Sequence, residues 1–219
     1  MKAMILCAGR GERMRPLTDH TPKPLLKVKG KPLIVWHIEK LASLGFNEII
    51  INIAHLGYKI SETLENGSRW GVKLLYSDEQ KDGGLESAGG IIKALPLLGD
   101  ETFLVVNGDI FCDYNFDKNF DLGNNLAHLI LVKNPKHNPN GDFGLVNNMV
   151  YNNAEEKLTF SGIGYYSMKL FIDLKCEKRA LAPLLRQEVK NKKISGSLYQ
   201  GVWHDIGTPQ RLDEVNKKN

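Results

Sequence analysis

The chain has 219 residues, 42% hydrophobic and 25% charged, with 29 basic against 25 acidic side chains and a net charge of +4. That suffices for one well-buried core. The basic excess suits a small anionic substrate but is too slight and dispersed for nucleic acid, and no apolar run approaches the ~20 residues that cross a bilayer. Three widely spaced cysteines, Cys7, Cys112 and Cys176, with no CxxC, point to a reducing, cytoplasmic setting rather than a disulfide framework or zinc site.

The apolar stretch 3–7 is too short for a leader peptide and runs straight into Arg10, Glu12 and Arg13, so it reads as a buried strand. A helix is predicted over 33–44, ended by Gly45, then a strand over 48–52 and a short helix over 58–64. A strand over 72–76, a glycine-rich loop, a helix over 89–97 and a strand over 103–107 follow. Continuous apolar strands alternating with helices imply an α/β fold, with a largely parallel sheet covered on both faces. The second half is less regular. Strands over 126–133, 145–151 and 158–166, partly antiparallel, lead to a helix over 181–190, and the polar loop 134–140 is expected to be mobile. No repeat or linker appears, and one domain over 1–219 is the simplest division.

The first strand opens directly into Leu6-Cys7-Ala8-Gly9-Arg10-Gly11-Glu12-Arg13-Met14-Arg15-Pro16-Leu17-Thr18. Ligands of parallel sheets gather at the carboxyl ends of strands. Gly9 and Gly11 let backbone N–H groups approach a phosphate, and Arg13 and Arg15 add fixed positive charge. A dinucleotide fingerprint would need glycine in place of Met14, and a Walker loop would need Lys-Ser/Thr after its second glycine. Further on, Pro22 and Pro24 bracket Lys23 and stiffen the backbone that aims its ammonium. At two other points an acid stands beside glycine: Asn107-Gly108-Asp109 at the end of an apolar strand, and Trp203-His204-Asp205-Ile206-Gly207-Thr208-Pro209. A strand-terminal carboxylate can hold Mg²⁺, which takes few protein oxygens. The absence of a D-x-D at Asp109 and Asp113 weakens the case for a metal-dependent glycosyltransferase.

Together these segments resemble the sugar-1-phosphate nucleotidyltransferase family, whose signature L-x-x-G-x-G-x-R-[ML]-x-P-x-T, then P-K-P, is matched from Leu6 to Pro24. The resemblance implies a three-layer Rossmann-like fold with a mixed, mostly parallel sheet. It implies a nucleotide-binding half over 1–110 and a sugar-binding half over 111–219. Ala8, Gly9, Gly11 and Glu12 would cradle the triphosphate, Arg13 and Lys23 would neutralise it during transfer, and Asp109 and Asp205 would share Mg²⁺. Glu79 would accept the base N–H and Gly84 would contact the base through its backbone. Asn107, Gly144, Ser161 and Gly162 would line the sugar phosphate pocket. Two departures stand out: Leu85-Glu86-Ser87-Ala88 replaces L-G-T-[AG], and Leu158 follows Glu156-Lys157 where relatives carry proline.

Looser markers along the chain, among them residues 52–57, 67–71 and 182–187, imply transfer of UMP from UTP to a sugar 1-phosphate, with N-acetylmuramic acid α-1-phosphate as the sugar. Thymidylyl or guanylyl transfer to glucose or mannose 1-phosphate is the alternative. A non-catalytic nucleotide-sugar sensor would be expected to have lost one of Arg13, Lys23, Asp109 or Asp205, and all four are present.

Overall fold

The structure, a computed structural model, describes residues 1–217. In chain order the elements of the first half are β1 (Ala3–Leu6), β2 (Lys27–Val28), β3 (Lys31–Pro32), α1 (Leu33–Ser43), β4 (Glu48–Ile53), α2 (Gly57–Leu64), β5 (Lys73–Asp78), α3 (Glu86–Leu98) and β6 (Phe103–Asn107). The second half adds β7 (Ile110–Cys112), β8 (Ala127–Val132), β9 (Gly144–Val146), β10 (Met149–Tyr151), β11 (Thr159–Tyr166), α4 (Leu181–Lys190), β12 (Ile194–Tyr199), β13 (Trp203–Asp205) and α5 (Pro209–Lys217).

One nine-stranded sheet, ordered β5-β4-β1-β6-β11-β8-β12-β10-β9, crosses both halves. Strands β5, β4, β1 and β6 are parallel; β11 opposes β6 and β8, while β12 is again parallel to β8. The two-residue period of a strand sends alternate side chains to opposite faces. Ala3 and Ile5, Ile49 and Ile51, and Leu104 and Val106 meet α1 and α2 on one side. Met4, Ile50, Phe103 and Val105 meet α3 and α4 on the other. Every one of these strand residues is at most 2% exposed, which is why the strands read as unbroken apolar runs. Among the described residues, no helix is long and apolar enough to cross a membrane.

The structure departs from the predicted elements in two places. The strand expected over 145–151 is a hairpin: Asn147 and Asn148 both take left-handed backbone (φ 48° and 60°), so β9 turns back on β10 with Met149 opposite Val146. Asparagine tolerates that region better than most side chains, and two such residues make the turn that suits strand twist. β12 lies inside the sheet between β8 and β10, but its Ser-Gly-Ser centre hides it from a hydrophobic pattern. The small residues are required there, since a Cβ on Gly196 would lie 2.8 Å from Val150 Cγ2 and 3.0 Å from Leu129 O.

His128 on β8 sits between the Ser195 and Ser197 hydroxyls of β12, at 2.9 and 3.0 Å, and burial lowers its pKa to about 4. The unfolded chain takes up that proton near ~6.5. The neutral ring therefore contributes stability above that pH, and the contribution is lost as pH falls toward the folded value. Melting followed by calorimetry should show Tm dropping between pH 6.5 and 4, with a flatter profile for His128→Gln over the same window.

Candidate active site

Beyond Leu6 the chain leaves the sheet at the carboxyl end of β1. Gly11 takes φ 67°, and its carbonyl accepts from the Met14 amide and the Thr18 hydroxyl, each at 2.8 Å. A Cβ there would lie 2.9 Å from Thr18 Cγ2 and 3.4 Å from Lys23 Cβ, so glycine lets the loop settle directly over Lys23. Met14, fully buried with Val28, Leu33, Ile206, Leu212 and Val215, anchors the loop to the C-terminal segment. Arg13 lines the cleft above it, whereas Arg15 pairs with Asp19 at 3.4 Å and is not part of the lining. Lys23, only 11% exposed, reaches Asp109 Oδ2 at 2.6 Å.

Asp109 is seated by close backbone packing. The Gly108 amide donates to Leu6 O at 2.9 Å, and a Cβ on Gly108 would lie 2.7 Å from both Leu6 O and Cys7 Sγ. Burial pushes the Cys7 thiol well above its ordinary range, so this side chain is a small packing element rather than a nucleophile. Strand β7, just past Asp109, pairs antiparallel with β13, setting Asp205 opposite Ile110, and the Ile206 amide donates to Asp109 O at 2.8 Å. Of the two acids expected to share a cation, Asp205 thus ends β13 and Asp109 lies in the turn just before its partner strand β7.

Asp205 Oδ2 is held by Arg211 Nη1 at 2.8 Å and His137 Nε2 at 3.1 Å. Its Oδ1 is buried with no hydrogen-bond partner, and a Cβ on Gly207 would come within 2.7 Å of it. A buried acceptor left without a donor costs about 1–3 kcal/mol unless something satisfies it. Among the described residues this oxygen has no donor, and its segment is bonded to the one carrying Asp109; carboxylate oxygens are the donors a hard divalent cation takes. Neither Arg211 nor His137 carried a motif signal. His137 belongs to the loop expected to be mobile, yet Asn134 Nδ2 bonds Lys157 O at 2.9 Å, Asn138 Nδ2 bonds Thr159 Oγ1 at 3.2 Å, and His137 contacts Asp205. That loop is a pinned strap.

The base-side loop departs from expectation. Glu79 is wholly enclosed: Oε1 accepts from Asn52 Nδ2 at 2.7 Å and Oε2 from the Leu85 amide at 2.8 Å. It does not line the cleft, so it shapes the loop rather than offering an oxygen to a base. Asn52, 2% exposed, completes the relay by accepting from the Cys7 amide through Oδ1 at 2.7 Å. Two glycines admit α3 over this relay. A Cβ on Gly90 would stand 2.6 Å from Glu79 Oε1, and one on Gly89 2.3 Å from Glu177 O. The amides of Ala88 and Gly89 donate to Arg179 O, so they are not aimed at a ligand. Gly84, at φ 87°, does line the cleft as expected.

Ala8, Gly9, Gly11, Glu12, Asn107 and Asp109 also line this cleft of about 710 Å³, within the usual size of a ligand site. Gly144, Ser161 and Gly162 do not. Gly144 packs toward Ala154, and the Ser161 hydroxyl donates to Ile130 O at 2.6 Å. Gly162, at φ 83° in a bulge of β11, makes room for Asn107, whose Nδ2 would be 2.6 Å from a Cβ there. Of the three, Gly162 alone touches a residue of the cleft wall.

The chain belongs to the Nucleotidyl transferase family, whose profile matches residues 2–219. It is 52% identical to the N-acetylmuramate alpha-1-phosphate uridylyltransferase of Neisseria meningitidis serogroup B, covering 98% of this chain and 96% of that protein. It is also 30% identical to the bifunctional protein GlmU of Methanocaldococcus jannaschii, over 99% of this chain but 54% of that one. Among solved structures, a Bacillus anthracis chain assigned as a glucose-1-phosphate thymidylyltransferase superposes with a TM-score of 0.85 at 23% identity, covering 99% of this chain and 94% of the other. The CTP:phosphocholine cytidylyltransferase of Streptococcus pneumoniae superposes at 0.76, also at 23% identity, over 99% and 97% of the two chains. At that identity the match establishes the α/β fold alone. The chain is a nucleotidyltransferase, and enzymes of this family generally use a divalent metal ion.

Asn52→Ala should leave Glu79 Oε1 buried without a donor and release the Cys7 amide. The expected cost is about 2 kcal/mol, or about 6 °C in Tm for a chain of this length. Scanning calorimetry checks the stability, and a raised KM for nucleotide with little change in kcat checks the positional role.

Proposed function

We propose that this chain transfers UMP from UTP to N-acetylmuramic acid α-1-phosphate, releasing pyrophosphate, with Mg²⁺ held by Asp109 and Asp205. Supporting this reading are the Lys23–Asp109 ion pair beneath the glycine loop and the Ile206-to-Asp109 backbone bond that ties the segment bearing Asp205 to it. The choice of base and sugar rests on the 52% identity over nearly the whole chain to the meningococcal uridylyltransferase. In this reading residues 1–110 hold the nucleotide and residues 111–219 hold the sugar.

The attacking group is a phosphate oxygen of the sugar 1-phosphate. With a second pKa of about 6 it is largely dianionic at neutral pH and needs no general base. The barrier is repulsion between that dianion and a triphosphate, so the site acts by positioning and by offsetting charge. The backbone at Gly9 and Gly11 cradles phosphate oxygens, while Arg13 and Lys23 counter their charge. Asn107, beside Asp109 on the cleft wall, donates to the sugar phosphate and sets its line of approach. A divalent cation, when bound, would offset further phosphate charge from the acid side of the cleft.

An ammonium about 4 Å from a phosphate oxygen interacts by about 4 kcal/mol at an effective dielectric constant of 20. Each 1.36 kcal/mol is about tenfold in rate. Lys23→Ala and Asp109→Ala should therefore each lower turnover by at least ~100-fold while the variants still melt cooperatively. Activity within a few-fold of the parent would remove that residue from the mechanism. Chelation with EDTA should abolish activity and added Mg²⁺ restore it. Pyrophosphate release measured with four nucleoside triphosphates against N-acetylmuramic acid, glucose and mannose 1-phosphates tests the substrate pair; a preference for dTTP or GTP would replace it with thymidylyl or guanylyl transfer.

A further inference from the structure

We propose that Glu86 is a specificity-determining residue that accepts a hydrogen bond from the nucleoside, through a base N–H or a ribose hydroxyl. The inference rests on the reading of the cleft as a nucleotide site. Three observations lead to it, beginning with the backbone. Glu86 stands at φ 59°, where a β-carbon crowds the backbone and glycine does not. The same loop uses glycine for its other left-handed positions, Gly83 and Gly84. Keeping a glutamate here costs stability that a glycine would not, which is the pattern of a side chain retained for its chemistry.

Position is the second. Glu86 lines the cleft beside Gly83, Gly84 and Ser87. This segment follows β5, and in the sheet order β5 lies on the opposite side of β1 from β6, which delivers Asp109. A carboxylate is repelled by phosphates and carries no donor, so besides Lys178, which also lines the cleft, the ligand group it meets on this flank is an N–H or O–H. Glu79, the other acid of the segment, is closed off by Asn52 and Leu85.

The third observation is that local structure does not account for the residue. Its ion-pair partner, Lys178 at 3.8 Å, is 70% exposed and Glu86 itself 47%, and so open a pair stabilises little. The Ala88 and Gly89 amides, in the first turn of α3, are already taken by Arg179 O. What remains for a structural role is the favourable placement of an acid at a helix start, and that predicts a different experimental pattern.

Glu86→Gly and Glu86→Gln in the full chain decide the matter, with kcat and KM measured for UTP, CTP and 2′-deoxy-UTP, UTP binding by calorimetry, and Tm. Glu86→Gly should raise KM for UTP about tenfold, as expected for one hydrogen bond to a charged acceptor, with kcat within about twofold. Its Tm should hold level or rise by about 2 °C. Glu86→Gln, which keeps one carbonyl acceptor, should retain more of the UTP affinity. Uracil offers N3–H where cytosine offers an acceptor, so a reduced preference for UTP over CTP places the bond on the base. A reduced preference for UTP over 2′-deoxy-UTP places it on the ribose, and either result supports the proposal. A fall in Tm with KM and both preferences within twofold of the parent would overturn it and leave only the helix-start role. If the parent turns over no nucleotide, the proposed function falls, and the UTP dissociation constant alone decides: unchanged in Glu86→Gly, it overturns this inference too. A parent that neither turns over nor binds UTP overturns both.

Discussion

The antiparallel pairing of β7 with β13 is the constraint on which the site depends. It sets Asp205 opposite Ile110 and lets the Ile206 amide bond Asp109 O, so two carboxylates distant in sequence stand on one small ribbon. Like charges this close repel, and each acid is given a cation: Lys23 for Asp109, Arg211 with His137 for Asp205. The compensation is uneven in a way that matters. Asp205 keeps one buried oxygen without a donor, behind a glycine that leaves the space open. A site meant only for stability would have closed that valence, since an unmet buried acceptor is a net loss.

The ribbon is tied to the phosphate loop by apolar packing. Met14 and Ile206, both fully buried in one small cluster, fix the loop carrying Arg13 against the segment carrying Asp205. On the other flank the tie is polar. The Cys7 amide, Asn52, Glu79 and the Leu85 amide form a buried relay from the end of β1 to the start of α3. Every link is satisfied, which is the condition under which buried polar groups rigidify rather than weaken a core. The glycine loop, the segments of the two acids and the loop after β5 are therefore parts of one framework, and a disturbance at Asn52 reaches a loop it does not belong to.

What could be read from the sequence follows from which residues have substitutes. Gly11, Lys23, Gly108, Asp109, Asp205 and Gly207 have few: the glycines sit where a Cβ would strike a neighbour within 3 Å, and the charged groups are held in ion pairs that only a like charge could replace. They form recognisable strings. The five strands β1, β4, β6, β8 and β11, whose apolar runs are buried on both faces, are equally plain. β12 was not, because its place in the sheet requires small residues that look like loop. Glu79 was read as a reader of the base from its position after β5, yet nothing in a linear pattern shows that Asn52, from another strand, would take its oxygen. His137 and Arg211 were invisible for the same reason: each matters only through contact with Asp205, and the strap bearing His137 is polar and proline-containing, like any mobile loop.

The chain's weak net charge also gains meaning from this arrangement. A cleft that receives two phosphorylated substrates invites a strongly basic protein, yet this one carries only +4. Part of the charge at the site stands in opposed pairs, Lys23 with Asp109 and Arg211 with Asp205, while Arg10 and Arg13 line the cleft as fixed positive charge. Paired charges that can redirect to phosphate give the approaching dianion its compensation where charge builds up, and uniform binding that lowers KM without raising kcat is avoided.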